Sequence, residues 1–122
     1  DLIVGGAGTD QMTGGSGNDT FDFNAATETG IGSVRDVIAD FSKVSGNTDT
    51  IDISGLDANL DISGNQAFQW IGTAAFTAAG QLRYQVIGGN TVIMANTGSN
   101  LGTDFEIEVI GTPSLVGADF IL

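Results

Sequence analysis

The chain has no cysteine and no histidine, and it carries only 3 basic residues against 15 acidic ones. Without cysteine there is no disulfide, thiolate nucleophile or cysteine zinc site, and without histidine there is no imidazole ligand and no Ser-His-Asp or Cys-His relay. These absences argue against an independent enzyme. The formal charge of −12 disfavours nucleic acid as a partner, because Arg35, Lys43 and Arg83 neutralise only a few phosphates. Pro113 is the sole proline, which argues against a Pro-rich linker. No apolar run approaches the roughly 18 residues of a membrane-spanning helix, so a soluble chain with no membrane span is expected. There is no N-terminal signal peptide, and the opening at Asp1, without Met and in mid-pattern, reads as part of a longer polypeptide.

What the chain does have is glycine, 19 residues of it, and enough apolar side chains, 41%, to build a core in one domain of 122 residues. The glycines are periodic near the start. Gly5-Gly6-Ala7-Gly8-Thr9-Asp10-Gln11-Met12-Thr13 is followed at once by Gly14-Gly15-Ser16-Gly17-Asn18-Asp19-Thr20-Phe21-Asp22. Both read G-G-x-G-x-D-x-U-x, where U is apolar, and Asp1-Leu2-Ile3-Val4 is the tail of another copy. Asp1, Asp10 and Asp19 recur at nine residues, and so do Ile3, Met12 and Phe21.

Nonapeptides of this form are characteristic of calcium-binding parallel β-helical stacks. Glycine admits left-handed backbone angles, so a short loop turns its carbonyls toward one point, and the aspartate adds a charged oxygen. Calcium accepts such mixtures with about 6–8 oxygen ligands, where the smaller Mg²⁺ demands a stricter octahedron. After each loop a short strand places Ile3, Met12 and Phe21 inward. Each nonapeptide makes half a turn, so loops on one edge lie two repeats apart and Asp1 and Asp19 are candidates for one shared ion. Metal-free hairpin turns would not need an acid at every ninth position. A phosphate loop would need a G-K-[ST] end and a lysine near these glycines, and the sequence has neither.

The repeats resemble the RTX family, and in particular the C-terminal domain of serralysin-type secreted proteases. The resemblance implies a β-roll in which carbonyls at Gly5, Ala7, Gly14 and Ser16, with the neighbouring Gly6, Gly8, Gly15 and Gly17, join Asp10 and Asp19 as Ca²⁺ ligands. Val34-Arg35-Asp36-Val37-Ile38-Ala39-Asp40-Phe41 is similar to the D-x-I-x-D-F segment after the roll, and Asp49 to Ser54 to a D-x-I-D-L-S strand. Phe68 to Phe76 with Ala79 to Tyr84 is similar to F-x-x-I-G-x-x-x-F followed by A-G-x-L-R-Y. The ending Asp119-Phe120-Ile121-Leu122, an acid and three apolar residues, resembles the family's uncleaved signal for type I export, read by an ABC transporter complex. An edge strand whose Phe120 and Leu122 complete the core is the alternative there.

Beyond Phe21 the repeat stops, because Phe23 to Glu28 contains no glycine. Asp10 then lacks an ordinary partner two repeats on. Glu28 has the right spacing, while Asp36 is the first choice from the resemblance. For Asp36 and Asp40 the other reading is solvated carboxylates on an edge strand, or a salt bridge to Arg35. Thr48 to Ser54 alternates as a strand with Ile51 and Ile53 inward. Asp57 is expected to cap a helical turn at 58–60, and Asp49, Asp52, Asp57 and Asp61 to lie on a solvated face. Phe68, Trp70 and Phe76 supply a second core, with Leu82, Tyr84 and Val86 alternating on a strand. Gly88-Gly89-Asn90 signals a hairpin before Thr91 to Ala95. Asn96 to Asp104 reads as a plain loop, and Phe105 to Ile110 as the next strand.

The expected fold is all-β: a short parallel β-roll of calcium-binding repeats over 1–22, then an antiparallel β-sandwich-like cap over 23–122, the two forming one unit. The expected function is a non-catalytic calcium-binding C-terminal module of a secreted, extracellular or cell-surface protein. It folds on extracellular calcium and carries the export signal at Asp119 to Leu122. Its partners are then calcium, the type I secretion apparatus and an upstream domain of the same polypeptide. The alternative is a structural module, or one binding a neutral glycan, in an adhesin, surface-layer protein or polysaccharide-modifying enzyme.

Overall fold

A computed structural model describes residues 1–122. It contains twelve strands and two single turns of 3-10 helix, at Gly32–Val34 and Gly117–Asp119. Four strands, β1 (Leu2–Val4), β3 (Thr20–Asp22), β7 (Thr50–Asp52) and β12 (Phe120–Ile121), form an all-parallel sheet in that order. The second sheet runs β2 (Gln11–Met12), β4 (Asp36–Ile38), β11 (Phe105–Val109), β10 (Asn90–Ala95), β9 (Gln81–Ile87) and β8 (Gln69–Trp70). Its β2, β4 and β11 are mutually parallel, while β11, β10 and β9 are antiparallel. A small ribbon pairs β5 (Lys43–Val44) with β6 (Asn47–Thr48).

Successive repeats alternate between the two sheets, as expected of a roll. β1 and β3 are consecutive rungs on one side, with Ile3 beside Phe21, and β2 belongs to the other. Inward residues of both sheets share one core: Phe21, Ile51 and Phe120 on the first, Met12, Ile38, Ile107, Val109, Ile93 and Leu82 on the second. Ile3 packs against its margin. Ile51 and Ile53 are both fully buried, as the alternation of that segment requires.

Parallel stacking does not stop at residue 22. β7 and β12 extend the first sheet from β3, and β4 and β11 extend the second from β2. The segments 1–22 and 23–122 therefore interleave in the same sheets and share one core. Within the two large sheets, β8, β9 and β10 lie outside the stacked rungs, and the β5–β6 ribbon stands apart from both. The β9–β10 hairpin turns at Gly88 and Gly89, with φ of 61° and 82°, angles that glycine adopts without strain and that suit a two-residue turn.

Three local expectations are corrected. No helix forms at 58–60: Asp57 instead accepts the N–H groups of Asn59 and Gln66 at 3.0 and 3.2 Å, closing a loop. Val86 is exposed because β9 runs past the core toward its tip. Phe76 is only half-buried and lies under the Arg83 guanidinium, 5.7 Å from the ring centre. Phe68 meets the core through an edge-on contact with Phe105, and Trp70 stacks on Tyr84 and meets Phe120 at a tilt.

Candidate metal centre

Each repeat contains the triplet D-x-U. In a strand, residues two apart point to the same face, so the acid shares the core side with the apolar residue that follows it. Asp19 precedes Phe21, Asp36 precedes Ile38 and Asp49 precedes Ile51, and all three carboxylates are buried. At the start of a strand this direction aims the carboxylate into the incoming glycine loop.

The carboxylates form a regular ladder. One oxygen of each accepts the backbone N–H of the acid one turn below: Asp36 Oδ1 from Asp10 at 2.9 Å and Asp49 Oδ1 from Asp19 at 3.1 Å. The same relation holds between Asp19 Oδ1 and the Asp1 amino group, at 2.6 Å. The sequence separations are 18 for Asp1 and Asp19, 26 for Asp10 and Asp36, and 30 for Asp19 and Asp49. The register thus survives although the connecting segments lengthen.

The second oxygen is the one that matters chemically. Asp10 Oδ2, Asp19 Oδ2 and Asp36 Oδ2 are buried without any hydrogen-bond partner. A buried carboxylate oxygen left unpaired is costly, and such groups are normally satisfied by a donor or a cation. Asp19 Oδ2 lies over its own loop so closely that a Cβ on Gly14 would sit 2.7 Å from it; the equivalent distance from Gly5 to Asp10 Oδ2 is 3.3 Å. Both loops repeat one backbone shape, with φ of 82° and 131° at Gly6 and Gly8, and 88° and 112° at Gly15 and Gly17. No backbone N–H donates to a carbonyl of residues 5–8 or 14–17. The loops therefore leave carbonyl oxygens free beside the buried carboxylate oxygens, an oxygen set that suits a hard cation rather than a soft one.

No point gathers three carboxylates. On the β2–β4–β11 edge the register limits the acids to two, because at the strand after β4 the position of Asp36 belongs to Ile107. A cation held here would depend on loop carbonyls for most of its ligands, with one or two carboxylates supplying charge. Burial pushes the Asp36 carboxyl above its ordinary value, and the neighbouring charges of Asp10 and Glu28 push the same way. The hydrogen bond from the Asp10 N–H opposes both.

Glu28 is not in register with Asp10. The segment between β3 and β4 is too long for simple repeat spacing, so Asp36 takes that place and Glu28 accepts the N–H of Asn24 at 2.9 Å. Asp1 lies one turn below Asp19 on the same edge, its nitrogen bonded to Asp19 Oδ1. Asp36 makes no salt bridge with Arg35, whose guanidinium binds Glu106 and Glu108 on β11, both at 2.8 Å. Burial lowers the Arg35 pKa, but its bonds and charge interactions with Glu108 and Glu106 outweigh that and raise it.

Residues beyond the expected ligands also hold the loops in place. Asp49, expected on a solvated face, is buried and accepts both the Asp19 N–H and the Ser42 N–H. Its signal is visible in hindsight, since Asp49-Thr50-Ile51-Asp52 repeats Asp19-Thr20-Phe21-Asp22. Asp40 accepts the N–H groups of Gly14 and Gly15 at 2.9 and 2.8 Å, and Asn47 accepts that of Gly17 at 2.6 Å. Thr29, buried, accepts the Asp36 N–H and donates to the Glu106 carbonyl. No periodic signal marks these last residues. At the chain end, Phe120 is buried and Leu122 packs against the core, while Ile121 is exposed.

The whole chain, residues 1–122, matches the family described as peptidase M10 serralysin C terminal. The chain belongs to that family. Among solved structures it is similar to the AlgE6R2 subunit of the Azotobacter vinelandii mannuronan C5-epimerase, determined in solution. The two share 25% identity with a TM-score of 0.60, over 99% of this chain and 70% of that one. No protein of curated function gives a significant match. This serralysin-type domain is thus a β-roll of RTX-type repeats with an antiparallel extension, and no helix in it is long and apolar enough to cross a membrane.

Proposed function

We propose that the domain is a calcium-driven folding module of a secreted protein, non-catalytic in itself and attached to a larger polypeptide. The observation that carries this reading is the set of buried, unpartnered oxygens of Asp10, Asp19 and Asp36 at glycine loops whose carbonyls receive no N–H. Calcium supplies the positive charge and the many-oxygen coordination that such loops suit. The loop of Gly5, Gly6, Ala7 and Gly8 would serve with Asp10 and Asp36, and the loop of Gly14, Gly15, Ser16 and Gly17 with Asp19. Asp1 would add charge beside Asp19.

Without the cation, the domain bears a charge of −12 together with buried carboxylates, and its glycine loops lose much backbone entropy on ordering. Ions at about 100 times their dissociation constant stabilise by about 2.7 kcal/mol per independent site. Two such sites are comparable to the whole margin of a small domain. A chain kept unfolded at low calcium remains threadable, and it folds after export into calcium. In this reading Asp119 to Leu122 serve first as the type I export signal and then as strand β12.

Isothermal titration calorimetry with calcium, and with magnesium as control, tests the proposal. The expected result is calcium-selective binding that weakens at least tenfold when Asp10 and Asp19 are both replaced by alanine; equal binding by the variant would sink it. Export of a passenger carrying this domain should be lost when residues 119–122 are removed. The likeness to an epimerase subunit favours one second reading, a module that serves a polysaccharide-modifying enzyme. Retardation of the domain on neutral-glycan affinity gels would support that reading.

A further inference from the structure

The hairpin of β5 and β6 touches both the second glycine loop and the chain end. It has two residues per strand and is exposed over Lys43 to Gly46, and so small a ribbon is not stable alone. Its order comes from the loop beneath it. Asn47 Oδ1 accepts the Gly17 N–H, Asn18 Oδ1 accepts the Thr48 N–H, and Asp49 joins the Asp19 N–H to the Ser42 N–H. From this hairpin Lys43 reaches the chain end, where Nζ donates to Asp119 Oδ2 at 2.9 Å and to the Ser114 carbonyl at 2.5 Å. Asp119 is buried, and the same Oδ2 accepts the Val116 N–H at 2.7 Å. On its far side the chain end is held by Phe120 against Trp70, the single tryptophan, at 4.8 Å between ring centres.

We infer that Lys43 is the positioning residue that couples cation binding at the Gly14–Asp19 loop to docking of the C-terminal strand. The inference rests on the calcium reading above. An ordered loop fixes Asn18 and Asn47, which fix the hairpin, which places Nζ where it neutralises buried Asp119 and lets Phe120 and Ile121 join β7. When the loop is disordered, Nζ has no fixed position and Asp119 is left as a buried charge held only by Val116, an expensive arrangement that favours release of the strand. Coupling of this kind is reciprocal, so docking of the strand also strengthens cation binding at the loop. The chain end would thus be free at low calcium and covered at high calcium, as a segment read by a transporter and later used as a strand requires.

Hydrogen exchange and Trp70 fluorescence during a calcium titration of the intact domain test the coupling. In the parent protein, protection at 120–122 and at 47–49 should rise together with the fluorescence change. In Lys43→Met at saturating calcium, amides at 120–122 should exchange at least about tenfold faster, while Val37 and Ala39 keep their protection, and the calcium midpoint should rise. Lys43→Arg should restore most of the protection by keeping the charge. If Lys43→Met alone does not fold, Asp119→Asn removes the buried charge while keeping an acceptor for Val116, so Lys43→Met added to it should fold and lose no further protection at 120–122; a further loss of about tenfold overturns the coupling. Protection at 120–122 in Lys43→Met within about twofold of the parent overturns the coupling. A parent protein in which calcium changes neither the roll amides nor Trp70 overturns the calcium reading itself, and the two failures are told apart by Val37 and Ala39.

Discussion

A methyl group at Gly14 would collide with Asp19 Oδ2 at 2.7 Å, whereas the Gly14 backbone itself lies outside the left-handed region. Gly14→Ala therefore probes the closeness of loop and carboxylate without straining φ. It should cost about 1–3 kcal/mol in calcium by urea unfolding, the usual range for forced overpacking, and weaken calcium binding with it. Thr13→Ala, at an exposed neighbour, should change neither. Asp36 gives a second test, through a change of sign. Its folded-state pKa is raised, first by burial and then by Asp10 and Glu28, so in chelator the folded state holds its proton more tightly than the unfolded state. The stability that Asp36 contributes in chelator is thus present at acid pH and is lost as pH rises from the ordinary carboxylate range through the raised value. Asp36→Asn, which keeps an acceptor for the Asp10 N–H, should stabilise the metal-free domain at neutral pH and destabilise the calcium-loaded one. The osmolyte concentration needed to fold the chain in chelator and the urea midpoint in calcium check this, and the same sign in both would contradict a cation at Asp36.

Among the elements, the first three strands were legible because glycine, acid and apolar residue recur at nine in a contiguous run. The later rungs were not legible by counting. Segments of unequal length separate β3, β4 and β7, so Glu28 had the right spacing and the wrong place, while Asp49 had the wrong spacing and the right place. The triplet D-x-U was the durable signal, because the two-residue period of a strand fixes its geometry whatever loop precedes it. The antiparallel strands β9, β10 and β11 could be read from alternation and the paired glycines at the turn. That β11 adds to β4 in parallel could not be read, since nothing local specifies a partner from a distant part of the chain. Arg35 bridges this join, and its side chain is mostly buried between Glu106 and Glu108. Arg35→Met should leave these two carboxylates without a cation and cost about 2–4 kcal/mol, seen as a lower urea midpoint with unchanged m-value. A loss below about 0.5 kcal/mol would mean that the pair behaves as an exposed surface bridge.

For the molecule as a whole, charge and topology point the same way. Its parallel rungs join segments far apart in sequence, an arrangement that is slow to form and gains little until the loops are closed. Buried acids at the loops set that closure against electrostatic repulsion, and a cation reverses the balance. Magnesium, which holds its water and requires a tight octahedron, should not substitute at equal concentration. The most direct measurement is far-UV circular dichroism of the intact chain in chelator, followed by stepwise calcium. Little β signal is expected in chelator and a cooperative gain of it on adding calcium, with the Asp10→Ala, Asp19→Ala variant needing far more calcium. Equal β signal and equal thermal stability in chelator and in calcium would contradict the account, because folding would then owe nothing to the cation.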